Sequence, residues 1–169
     1  MIYVRSYNTL SDQDFMKLLG LQGYHKASPP LSWDVSHVVF ANDSEWTHIA
    51  DDYGYTLWHS PKTAGAIAEL SASFDIFRNS IGDIDYSFEF EYHQSGKLVR
   101  KFVFDHDVFK GTEIVTADTG TKLFGEPETF SDLKTSAEKM LPTITQALGI
   151  VRVTDPLQNR FYYKSRKTN

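Results

Sequence analysis

Residues 85–105 read DYSFEFEYHQSGKLVRKFVFD, and this stretch decides the fold class. Tyr86, Phe88, Phe90 and Tyr92 alternate with Ser87, Glu89, Glu91 and His93, the period-two pattern of a strand with one buried face. Gln94-Ser95-Gly96 supplies turn chemistry, and Leu98, Arg100, Phe102 and Phe104 carry the alternation back. A three-residue loop ending in Gly predicts the pairs Tyr92–Leu98, Phe90–Arg100, Phe88–Phe102 and Tyr86–Phe104. That register gathers the large aromatics on one face. A two-residue Ser95-Gly96 loop would set Phe102 and Phe104 opposite Glu89 and Ser87, because a one-residue slip inverts the buried set. Arg100 is the exception, a charge on the aromatic face. Either its stem packs while its head stacks on Phe90 or pairs near the sheet end, or it anchors a ligand anion.

Outward from this hairpin the chain mixes helices and strands. Ser11 caps a short helix with Asp12, Gln13 and Asp14 in its first turn, Leu10 placed to staple Phe15, and Gly20 at its end. Residues 22–34, with Pro29-Pro30, read as a loop. Residues 37–41 predict a strand. Residues 46–50 and 55–58 predict a hairpin across Asp51-Asp52-Tyr53-Gly54. Ser60-Pro61 opens a helix whose face is Ala64, Ile67, Ala68 and Ser71, and residues 74–77 begin the next strand. Residues 111–117 and 121–124 read as strands around an Asp118-Thr119-Gly120 turn. Leu133, Ala137, Leu141, Ile144 and Leu148 have helical spacing from a cap at Thr129 or Ser131. Pro142 should kink or split that helix and Gly149 should end it. Val151, Val153 and residues 161–163 read as late or edge strands. The expected class is α+β: a mostly antiparallel sheet built of hairpins, with two or three helices packed on one face. One domain over residues 1–159 is expected, followed by a basic C-terminal tail over 160–169.

Composition narrows the function classes. Hydrophobic residues make up 41% of the 169 and aromatics 14%, enough to build a core. No apolar run approaches the ~20 residues of a membrane span, and the N-terminus reads as a strand instead of a signal peptide. The chain has no cysteine, which excludes disulfides and thiolate metal sites. A cytoplasmic location is the simplest expectation. The formal charge is −5; removing Arg160, Lys164, Arg166 and Lys167 leaves 13 basic against 22 acidic residues, so residues 1–159 carry −9. Such a body repels phosphate backbones and argues against a nucleic-acid partner, while fitting a basic protein.

Candidate chemistry is sparse. Trp46, His48, Asp51, Asp52, Trp58 and His59 fall in one short segment, where imidazoles and carboxylates could approach across a hairpin as ligands or acid–base groups. The spacing matches no metal motif, and Asp51 and Asp52 suit a turn. If the two tryptophans were exposed together they would be interface anchors. Asp105-His106-Asp107 sets a histidine between two carboxylates. Gly82-Asp83-Ile84-Asp85 begins like a divalent-cation loop but lacks further ligands. Gly125-Glu126-Pro127-Glu128 reads as an exposed acidic turn. Nucleophile-elbow, Walker and dinucleotide motifs are absent, and no cofactor or metal is called for.

In general make-up the chain resembles small bacterial α+β proteins rich in Trp, Tyr and Asp, some of them immunity proteins against toxins. The leading expectation is a non-catalytic binding module, immunity- or adaptor-like. Its acidic and aromatic surface would hold a basic protein partner, with no membrane or nucleic-acid role. The binding candidates are Trp46, His48, Asp51, Asp52, Trp58, His59, Arg100, Asp105, His106 and Asp107. The alternative is a small-molecule-binding protein or hydrolase built on the His/Asp segment at 48–59, with Arg100 holding an anion. A third expectation is homodimerisation through a strand edge near Arg160 to Lys164.

Overall fold

The computed structural model describes residues 1–5, 9–28, 37–42, 45–51, 61–82, 85–128, 133–150 and 160–165. In chain order the elements are β1 (Ile2–Arg5), α1 (Asp12–Leu18), β2 (Tyr24–Ala27), β3 (His37–Asn42), β4 (Trp46–Asp51), α2 (Pro61–Ser71), β5 (Asp75–Ile81), β6 (Phe88–Gln94), β7 (Lys97–Asp107), β8 (Thr112–Gly120), α3 (Leu133–Ala147) and β9 (Arg160–Ser165). The strands form one sheet in the order β2-β9-β3-β4-β1-β5-β6-β7-β8. Every neighbouring pair is antiparallel. The fold is α+β on a mostly antiparallel sheet, as the hairpin pattern requires.

Alternation along the strands sorts the side chains into two cores. Ile2, Val4, Ile49 and Ile76 point to one face, where they meet Phe15, Met16 and Leu19 from α1 and its end and Ala66, Ile67 and Leu70 from α2. Tyr3, Trp46, Phe77, Phe88, Phe90, Tyr92, Phe102 and Phe104 point to the other, beneath Ala137, Met140, Leu141 and Ile144 of α3. Two helices share one face, and the third covers the opposite face. The phenylalanine rings lie 5.5 Å (Phe88–Phe102, Phe88–Phe104) to 6.1 Å (Phe77–Phe90) apart, the spacing of tilted and stacked pairs. Each buried ring contributes on the order of 2 kcal/mol. On the other face the Tyr163 hydroxyl donates to Asp12 Oδ2 at 2.7 Å and ties β9 to α1.

The main hairpin keeps its expected faces and changes its register. Phe88 pairs with Phe104, Phe90 with Phe102 and Tyr92 with Arg100, two residues from the expected partners. The cause is a combination the sequence reading did not weigh. Ser95 (φ 51°) and Gly96 (φ 74°) both take left-handed backbone, so a two-residue turn closes the hairpin. A bulge then shifts the register between Tyr92 and His93 and restores the aromatics to one face. Tyr86 is not part of this face: its φ is 59°, its side chain is exposed, and β6 begins at Phe88.

Other expectations are corrected. Residues 24–27, read as loop, form β2. Residues 161–163, read as a late or edge strand within a basic tail over 160–169, lie in β9 (160–165), which is paired on both sides, by β2 and β3. The stretch near Arg160 to Lys164 is therefore an internal strand and not a sheet edge. Asp118-Thr119-Gly120 is the end of one long strand instead of a turn, and residues 121–124 form no strand. Gly120 permits this with φ 87°, because a Cβ there would collide with the Val99 carbonyl oxygen. Pro142 does not split α3. The hairpin expected over residues 46–58 is described only through β4, and the caps at Ser60, Thr129 and Ser131, with Val151 and Val153, lie outside the described residues.

On the sheet face opposite the aromatic core, Glu91 is buried and accepts from Arg78 Nε at 2.7 Å, Lys101 Nζ at 2.8 Å and His93 Nε2 at 3.3 Å. Burial alone would push its carboxyl up. Hydrogen bonds from His93, Arg78 and Lys101, with the Arg78 charge, outweigh this and hold it well below the ordinary value of 4.5. A depressed folded-state value contributes stability that is present above 4.5 and is lost as pH falls below it. Urea denaturation from pH 7 to pH 3 should therefore show stability falling below about pH 5, and the fall should be shallower in Glu91→Gln.

Candidate interaction surface

Arg100 enters the aromatic face from β7, and its guanidinium has no solvent exposure. Its Nε donates to Glu126 Oε1 at 2.9 Å and Oε2 at 3.0 Å, and Nη2 donates to Oε2 at 2.6 Å. Nη1 donates to Asp118 Oδ1 at 2.6 Å, to the Thr119 carbonyl at 3.0 Å and to the Lys101 carbonyl at 3.3 Å. The head lies 5.7 Å from the Phe102 ring centre and 5.9 Å from that of Phe90. Its donors are committed to the protein, so it is a structural residue and does not anchor a ligand anion. Glu126, read as an exposed acid, is its buried partner.

Two other candidates are core. Trp46 is buried and its indole Nε1 donates to the Leu148 carbonyl at 3.0 Å, joining β4 to the end of α3. His48 is buried, its ring edge-on to Tyr3 with centroids 4.7 Å apart. Both sit at alternate positions of a strand whose face is covered by α3, so neither is exposed to a partner. Asp51 ends β4. Asp52, Trp58 and His59, and with them the proposed His/Asp site, lie outside the described residues.

Asp105-His106-Asp107 behaves differently. These residues end β7 beyond its pairing with β6, which stops at Phe88–Phe104, so only β8 flanks them. Asp107 builds the following turn: its Oδ1 accepts from the main-chain N–H of Phe109 and of Lys110, both at 3.1 Å, and its Oδ2 pairs with Lys110 Nζ at 3.0 Å. The Lys110 hydrogen bond, more than any other contact, draws the Asp107 carboxyl below the usual aspartate range. Asp105 Oδ2 accepts from Thr116 Oγ1 at 3.0 Å. His106 Nδ1 donates to the Asp85 carbonyl at 2.7 Å, and its main-chain N–H donates to Ser87 Oγ at 3.0 Å. Ser87 N–H in turn donates to Asp85 Oδ1 at 3.0 Å. Two acidic segments that the sequence shows separately are thus clamped into one tip.

The tip is apolar as well as acidic. The Asp107 turn projects Phe109 into solvent at 97% exposure, and Ile81, Tyr86, Val108, Ile114 and Val115 are exposed around the same end of the sheet. Asp85, Asp105, Asp107 and Glu113 stand among them against Lys110. The strand pattern could have revealed Ile114 and Val115 only if β8 had been recognised as an edge. Phe109 carries a signal that was legible, an aromatic between turn residues. Left-handed backbone at a tyrosine is uncommon, and at Tyr86 it sits within this tip. Among the described residues, no group of three or more His, Asp or Glu is arranged to hold a metal ion, and no helix is long and apolar enough to cross a membrane.

Comparison with family models, with curated proteins and with solved structures finds no match to this chain.

Replacing Glu126 by Gln leaves the Arg100 charge buried against its remaining partner, Asp118. Urea denaturation should show a loss of about 3–5 kcal/mol, and replacing both residues together (Arg100→Met with Glu126→Leu) should recover much of it.

Proposed function

We propose that the chain is a non-catalytic binding module, immunity- or adaptor-like, that holds a basic protein partner through the acidic, apolar tip where β7 ends and β8 begins. The observation that carries this reading is Phe109, a wholly exposed aromatic on a turn whose backbone is fixed by Asp107. An aromatic held rigid before binding loses little conformational entropy on docking, and aromatics dominate binding hot spots. The surrounding carboxylates would steer a cationic surface towards it, an effect that weakens with salt. The net charge of −5 supports a basic partner and opposes a nucleic acid. A chain without cysteine fits a cytoplasmic setting.

Phe109→Asp tests this reading. The variant should unfold with the wild-type midpoint, because so exposed a ring supports no core. Immobilised wild-type protein should retain cationic proteins that elute as salt is raised. Phe109→Asp should retain them about tenfold less well, the size of a single hot-spot loss. Equal retention by both, or retention insensitive to salt, would contradict the proposal.

A further inference from the structure

We infer that the outer side of β8 takes up an extended basic segment of the partner as an added strand. This rests on the partner-binding reading of the same tip and specifies how the partner is held. The sheet has two edges. At one, β2 is four residues long and carries Lys26, features that discourage further pairing. At the other, β8 is nine residues long with neither proline nor lysine. Among the described residues no strand pairs with its outer side. An edge strand turns a row of main-chain N–H and C=O groups outward, a template for another strand. Eight of the nine residues of β8 are exposed. A bulge at Thr116 divides the edge, leaving residues 112–115, beside the Phe109 turn, as its regular half nearest the tip.

Charge decides the occupant. Asp105 and Asp107 of β7 stand opposite Ile114 and Thr112, and Glu113 lies between those two on β8. A second copy of this chain would bring the same carboxylates together. A strand bearing lysine or arginine would meet them with opposite charge. Strands lie ~4.8 Å apart, so the β7 carboxylates are about two spacings from an added strand, within reach of a lysine stem and head. With its lysines on the face of Asp105 and Asp107, that strand's alternate apolar residues lie on the opposite face, where they would cover Val115.

The test uses the full chain and two synthetic peptides: Lys-Val-Lys-Val-Lys-Val, and the same peptide N-methylated at alternate residues on its pairing side. The unmodified peptide should bind and slow amide exchange at residues 112–115 by about tenfold or more. N-methylation removes main-chain donors while keeping the charge, and should weaken binding by about tenfold or more. Ile114→Lys, at an exposed position, should weaken it similarly. Equal affinity for both peptides would overturn strand addition in favour of charge alone. So would protection at β2 instead of β8, or dimerisation of the chain through β8 in sedimentation. If Phe109→Asp abolishes partner capture while the peptide leaves β8 exchange unchanged, strand addition fails and the partner reading stands. If the peptide protects β8 while Phe109→Asp captures normally, strand addition stands and the role of Phe109 fails.

Discussion

The buried pair of Arg100 and Glu126 ties β7, at the centre of the aromatic face, to the segment that follows β8. A guanidinium placed among Phe90 and Phe102 must be paired, because an isolated buried charge is too costly to persist. The chain meets this need from 26 residues downstream, with Glu126 also accepting from the Leu123 N–H at 2.7 Å. That draws residues 121–128 back over the sheet. Gly125 (φ 99°) then lies so close to α3 that a Cβ would come within 2.8 Å of Thr143 Cγ2. The loop therefore seats α3 above the phenylalanines. Asp118 and the Thr119 carbonyl bind the same guanidinium, which fastens the end of β8 as well.

A rigid platform explains how the tip can be both exposed and ordered. The end of β7 projects past β6, where the aromatic core no longer holds it. Its order comes from polar contacts: Asp107 within its own turn, Thr116 on Asp105, and His106 on the 85–87 segment. Each contact is individually modest, on the order of 1 kcal/mol. Together they fix a backbone whose apolar side chains face solvent. Surfaces of this kind are maintained against the tendency to bury them, and interaction is the usual reason.

The faces of the sheet were legible in the sequence because period two survives bulges that preserve side-chain direction. The register was not legible. A turn of two residues and a bulge near Tyr92 produce the same aromatic face as a three-residue loop, and only backbone angles at Ser95 and Gly96 distinguish them. Arg100 was visible as an anomaly, but its partner lay in a segment that reads as surface turn. β8 was read as two strands because Asp-Thr-Gly is turn chemistry, whereas here Gly120 serves close backbone approach to Val99. The middle of β9, residues 161–163, was legible as a strand; its place between β2 and β3 was not, because both pairings are distant in sequence. Within the candidate site, Asp105, His106 and Asp107 were legible as a cluster. Their approach to Asp85 follows from the β6–β7 hairpin, whereas the His106 contact with the Asp85 carbonyl has no signature in the sequence.

Native-state hydrogen exchange across a denaturant series reads the platform and its exposed edge in one experiment. Amides of β6 and β7 around Phe90, Arg100 and Phe102 should exchange only through global unfolding, and outward-facing amides of β8 through small local openings while the platform stays closed. Amides around Arg100 that exchange as readily as those of β8, through sub-global opening, would contradict a rigid platform.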